Sequence, residues 1–222
     1  MNNFISTFLL LIITLALSAC GGGSGGESES SQSFSLSMFQ STTEGPIYNA
    51  QLTGSDSFES TYTGSISVAN GSQVTLDGVL VTPRNVIISL LPTVGSSITV
   101  SSTSYTDAGG YTVSVEVQTE DISCIPATPY RLPDSVTIGD LDILSTLSCD
   151  GGITEEMNWR VEDAGNGRAR IITSATVKNQ LNEIVSTADV TYTIDNSGNI
   201  VKFKTVTTIF DEDSYTLTYE SI

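Results

Sequence analysis

The chain has 222 residues, a formal charge of −17, eight lysines plus arginines, and no histidine. So acidic a balance excludes nucleic acid as a partner, because phosphate binding is carried by Lys and Arg. Without imidazole, Ser-His-Asp and Cys-His nucleophilic chemistry and HExxH zinc sites drop out as well.

From Phe8 to Ala19 the residues are almost unbroken Leu, Ile, Thr and Ala, closed by small side chains, as in the apolar region and cleavage site of a secretory signal. The run is shorter than the ~20 apolar residues that a bilayer span needs. Its last four residues, Leu17-Ser18-Ala19-Cys20, resemble the lipobox of bacterial lipoproteins. The resemblance covers the first twenty residues only. It implies that 1–19 is a signal peptide, that Cys20 receives a diacylglyceryl thioether, and that its freed amine takes a fatty-acyl chain such as palmitate. Two or three acyl chains hold a protein stably, each buried methylene contributing ~0.8 kcal/mol. Gly21 stands after the cysteine where retained lipoproteins carry Asp, which by the same resemblance implies the outer membrane of a Gram-negative cell envelope. Met1-Asn2-Asn3 departs from the family pattern in having no basic residue.

Residues 20–33 are Gly, Ser, Glu and a single Gln after the cysteine, with no apolar side chain to bury, so they read as a flexible acidic tether. Gly22-Gly23-Ser24-Gly25-Gly26 spells the nucleophile-elbow pattern, but that motif needs a strand before it and a helix after it, and the composition offers neither.

From Phe34 onward the hydrophobic period is two. Tyr111, Val113, Val115 and Val117 alternate with polar residues, as do Val190, Tyr192 and Ile194, and then Tyr215, Leu217 and Tyr219. Such strands have one wet and one dry face, which predicts an all-β protein of antiparallel meanders forming a sandwich or barrel-like body. Turn chemistry predicts registers. Asn70-Gly71-Ser72 would set Val68 opposite Val74 and Ile66 opposite Leu76. Gly165-Asn166-Gly167 would set Val161 opposite Ile171, Trp159 opposite Thr173, and Glu162 opposite Arg170. Asn196-Ser197-Gly198-Asn199 would set Ile194 opposite Val201 and Tyr192 opposite Phe203, and the 211–214 turn would set Phe210 opposite Tyr215. Asp77-Gly78 and Pro83 read as a bulge and an edge.

These signals divide the body into a first meander unit, 34–121, a Pro-rich connection, 122–152, and a second unit of five strands, 153–222. Leu52 to Leu76 can be laid on Leu147 to Ile172, so the units read either as two related halves or as unrelated meanders sharing turn residues. With Cys20 assigned to lipid, Cys124 and Cys149 remain as a pair that an oxidising envelope would join across the connection. Two free thiols, or a metal site poor in ligands, are the alternatives.

Among chemistry-bearing residues, Glu155 and Glu156 beside Trp159 could be glycosidase-like carboxylates. Neighbours on a strand face opposite ways, however, so a solvated strand entrance is the expectation for both. Asp195, Asn199, Asp211 and Asp213 are candidate calcium ligands, although Asp and Asn are favoured in turns for their own backbone bonds. Trp159 reads as core. Arg160, Arg168, Arg170, Lys202 and Lys204 read as a mixed charged face or a patch for an acidic partner.

The sequence therefore predicts a lipid-anchored, non-catalytic envelope lipoprotein with an all-β binding or structural module. No cofactor is expected; the membrane is reached through acyl chains, and the further partner is an envelope protein, glycan or lipid. A barrel carrying a hydrophobic ligand in its interior and a glycan-active enzyme using carboxylates are the alternatives. A membrane-embedded barrel is disfavoured, since aromatics are 7% of the chain and form no paired girdles.

Overall fold

The computed structural model describes residues 32–211 and 213–222, so the signal, Cys20 and most of the tether lie outside the described residues. The alternating segments form β1 (Ser33–Ser35), β2 (Gly45–Asp56), β3 (Thr61–Asn70), β4 (Val74–Leu76) and β5 (Val79–Pro92). They continue as β6 (Ile98–Asp107), β7 (Thr112–Val117), β8 (Ile122–Pro126), β9 (Ser135–Thr137) and β10 (Leu141–Cys149). The last are β11 (Ile153–Gly165), β12 (Arg168–Lys178), β13 (Ile184–Ile194), β14 (Ile200–Ile209) and β15 (Tyr215–Ser221), and a single helical turn, α1 (Ser37–Gln40), follows β1.

Among the described residues, twelve of these strands close into one antiparallel barrel. Each wall strand pairs with its predecessor and successor in the chain, β3 with β5 and β8 with β10 included, and β15 returns to pair with β2. Because the meander runs up and down, alternate turns share an end. The turns at 57–60, 93–97, 118–121, 150–152, 179–183 and 210–214 form an upper rim. The turns at 71–78, 108–111, 166–167 and 195–199 form a lower one.

The alternation turns apolar side chains inward. On β11, Glu155, Met157, Trp159 and Val161 are inward and buried, while Glu156 and Asn158 are exposed and Arg160 and Glu162 half-buried on the other side. Elsewhere the outward face is mostly Ser, Thr and charged residues, interrupted by exposed side chains such as Leu141 and Ile143. This is the reverse of a bilayer-spanning barrel, whose outward face is apolar. No helix among the described residues is long and apolar enough to cross a membrane.

Several predicted registers are observed. Val161 faces Ile171, Trp159 faces Thr173, Glu162 faces Arg170 and Tyr192 faces Phe203. The turn glycines earn this register, since Gly165, Asn166 and Gly167 all have positive φ. Two pairs slip by one residue. A bulge beside Ile194 sets it opposite Ile200, and Ile209 rather than Phe210 faces Tyr215.

Other expectations are corrected. Asn70-Gly71-Ser72 does not close a hairpin: β3 crosses to β5, so Val68 faces Val86 and Ile66 faces Ile88. The hairpin is made instead by Asp77-Gly78, both with positive φ, which sets Leu76 against Val79 as a two-residue turn rather than a bulge. Pro83 lies inside a wall strand at the point where the neighbour on that side changes from β4 to β3, so its missing N–H removes no rung from either ladder. Residues 122–152 are not a mere connection either. They supply β8 and β10 to the wall, and only the Pro-containing stretch after Pro126 leaves it. Both meander stretches thus belong to one sheet over one buried cluster.

Cys124 and Cys149 are directly opposite on β8 and β10 and form a disulfide. It closes a separation of 25 residues, for which loop entropy gives ~3 kcal/mol. Reduction should therefore lower the melting temperature by roughly 10 °C; an unchanged melting curve after thiol blocking would show that the bond adds nothing.

Candidate functional site

The lower end of the barrel is sealed. After Gln32 the chain forms β1 against β9, pairing Phe34 with Val136, and the Leu36 N–H donates to the Asp134 carbonyl. Phe34, Leu36, Phe39, Leu132 and Val136 are all buried in the common core. Above them the inward rings interlock: Phe39 meets Tyr192 with centroids 5.4 Å apart, and Phe203 meets Tyr192, Tyr219 and Tyr48 at 5.4, 6.1 and 6.4 Å.

Arg84, on β5, pins this seal. Its guanidinium donates to the Asn70 side-chain oxygen at 3.1 Å, to the Phe39 carbonyl, and to the Ser41 carbonyl at 2.8 Å. Asn70 in turn donates to the carbonyls of Ser41 and Thr43. Burial lowers the guanidinium's pKa to about 10, partly opposed by Tyr192, so it stays charged at neutral pH.

The upper interior is different. Glu155 is fully buried, and neither of its carboxyl oxygens has a hydrogen-bond partner among the described residues. Desolvation raises its pKa to about 8, with no charged neighbour contributing. Tyr130, from the segment that leaves the wall after β8, lies close enough for Glu155 to add to the rise that burial imposes on its phenol. The Ser186 hydroxyl and the Trp159 indole N–H, both buried, also lack partners. Glu155 faces Val177, which faces Ser186, so the two polar side chains occupy one inward row. The adjacent row is small: Met157 faces Ala175, Ala175 faces Ala188, and Ala188 faces Thr207.

At the seam between first and last wall strands, Asp56, Tyr62 and Tyr215 form a knot. Tyr62 donates to the Asp56 carboxylate at 2.7 Å and lies 3.2 Å from the Tyr215 hydroxyl. Burial works to raise the Asp56 pKa, but bonds from Tyr62, Ser60 and Phe58 outweigh it and the net shift is down.

The structure splits the predicted carboxylate pair. Glu156 points outward to Lys178 at 2.7 Å, whereas Glu155 is interior and not at a solvated entrance. The reason is the register of β11, which extends above Glu155 to Ile153. Trp159 is in the core. Asp195 spends its carboxylate on its own turn, accepting from the Ser197 and Asn199 N–H groups and from the Asn199 amide. Asp211 and Asp213 flank the upper turn between β14 and β15 and are not brought near Asp195, which is at the lower rim. Arg168, Arg170, Lys202 and Lys204 share an outer depression of about 600 Å³ with Asp163, Asp189 and Glu220. Pairs such as Lys202–Glu220 and Arg160–Asp189 make it a mixed face, and exposed pairs of this kind contribute little.

Arg84, Tyr130 and Ser186 were not singled out from sequence. A lone arginine in a strand of apolar residues was the one available signal.

No family model matches this chain, and no curated protein or solved structure matches it.

Proposed function

We propose that the protein is a bacterial envelope lipoprotein, held in the outer membrane by acyl chains on Cys20, whose barrel is a non-catalytic binding module standing clear of the head groups. The observation that carries this reading is the contrast between a polar outer wall and an N-terminal segment that runs into the sealed rim. Such a wall offers a bilayer little, so attachment falls to the lipobox cysteine upstream. The tether then presents the sealed end to the membrane and the upper rim away from it.

The separation of Glu155 and Glu156 across the wall speaks against paired-carboxylate glycan chemistry, which needs both groups on one substrate. The interlocked rings of the lower half speak against a long lipid tail running the full length of the interior.

Fractionation tests the anchor. The parent chain should sediment with membranes and carry the mass of a cleaved, acylated Cys20, while Cys20→Ser should lose both. A Cys20→Ser chain that sediments as tightly as the parent would sink the proposal.

A further inference from the structure

We propose that the upper interior of the barrel is a binding site for a small organic cation, an ammonium group paired with Glu155. The inference rests on reading the barrel as a binding module and is independent of the anchor.

Four observations converge on it. The first is the unpartnered carboxyl itself: buried polar groups are almost always hydrogen-bonded, and a lone interior carboxyl costs several kcal/mol unless something compensates it. Glu155 lies two residues inside the end of β11, fully buried, with both oxygens unused by the protein. The second is complementary chemistry nearby. Ser186 adds an acceptor in the same inward row, and Trp159, four residues along the same face, adds an unused donor and an aromatic surface.

The third is room. Eight-stranded barrels are filled by their own side chains and barrels of sixteen or more are channels, so a barrel of twelve has a wide interior wherever its side chains are short. The lower half is filled by Phe39, Tyr192, Phe203 and Tyr219, whereas the row next to Glu155 carries the short side chains of Ala175, Ala188 and Thr207, and Ser186 is the short one in its own row, which Leu147, Val177 and Ile209 otherwise fill. The fourth is the field at the mouth. Glu59, Glu120, Asp121, Asp150, Glu183 and Asp213 lie on the upper turns, where Lys178 is the one basic residue among the described residues and is already paired with Glu156. An acidic rim concentrates cations and repels anions.

A metal ion fits poorly, because one carboxylate and one hydroxyl fall far short of the six to eight oxygens that calcium takes. An ammonium needs only a few acceptors, and it gains from aromatic faces.

Binding exchanges charge. The raised pKa keeps Glu155 protonated at neutral pH, so an incoming ammonium displaces that proton to solvent and leaves an ion pair behind. Tyr130 is the titratable group facing Glu155, and its phenol stays neutral because burial and Glu155 both push it up. Leu147 and Val177, the partners on the flanking strands, are apolar.

The test titrates the full chain with ethanolamine, followed by calorimetry and by the fluorescence of Trp159, the single tryptophan. Affinity should rise about tenfold per pH unit from pH 6 towards 8, one proton being released per ammonium bound. Ethylene glycol, the uncharged analogue, and propionate should not bind. Glu155→Gln should weaken ethanolamine at least tenfold and abolish the pH dependence while the barrel's circular dichroism is retained. Glu155→Asp, which keeps the charge, should recover part of the affinity. Absence of ethanolamine binding at ~10 mM, a very weak affinity, would overturn the proposal. So would salt-sensitive binding that Glu155→Gln retains, which would place the cation on the acidic rim. None of these outcomes bears on whether Cys20→Ser leaves the membrane, so the two proposals fail separately.

Discussion

Glu155→Gln should make the protein more stable than the parent at pH 8, and the advantage should shrink to little at pH 5. The carboxyl has an ordinary pKa of 4.5 in the unfolded chain and about 8 in the barrel. Between those values the folded state holds a proton that the unfolded state has released, so unfolding becomes easier as pH rises. The stabilisation is complete below 4.5 and is lost on passing through about 8. At ~1.4 kcal/mol per unit the window amounts to roughly 4 kcal/mol. Urea midpoints of parent and variant at several pH values give the difference directly and cancel the pH dependence common to both chains. Asp56 and Asp195, whose pKa values are lowered, act in the opposite sense and only below 3.8. Parallel parent and variant curves from pH 5 to 8 would show that Glu155 is ionised in the folded state.

Arg84→Met should be the most damaging change at the sealed end, by ~3 kcal/mol. It removes a buried charge, which alone would help, but it strips donors from the Phe39 and Ser41 carbonyls and from the Asn70 side chain. A buried acceptor left unpaired costs ~1–3 kcal/mol. The loss should be local before it is global. Amide exchange should accelerate first across residues 33–44, with β11 to β14 keeping their protection, because those strands do not depend on the seal for their ladders. Arg84→Lys keeps the charge on a single nitrogen and should fall between the two. Uniform acceleration throughout the barrel would mean that the seal and wall unfold as one unit.

Much of the wall was legible because period-two alternation with one polar face leaves few choices. The segment from Met157 to Tyr219 has strong turns, and Gly165-Asn166-Gly167 fixed the β11–β12 register to the residue, while the pairs beside the next two predicted turns were one residue off. Asn70-Gly71 misled for a physical reason: an Asn-Gly pair says that the chain can turn, not that the strands on either side will pair. The competing signal was Asp77-Gly78 a few residues on, which makes the tighter hairpin. Closure was legible only as one of two options, a sandwich or a barrel-like body, because nothing local in Leu52 or Ser221 announces that they face each other. The interior site hid behind its strand neighbour: Glu155-Glu156 at the head of a strand looks like a solvated pair until the length of β11 sends the first inward.

The pairing of β2 with β15 has a consequence for how the chain comes into being. A polypeptide made from its amino end presents β2 long before its last neighbour exists, so one side of that strand waits unsatisfied while nearly the whole wall is assembled. The ring can shut only when β15 arrives, and loss of its seven residues would leave two raw borders, each able to recruit another molecule's backbone. The strand β15 is therefore the latch of the whole assembly.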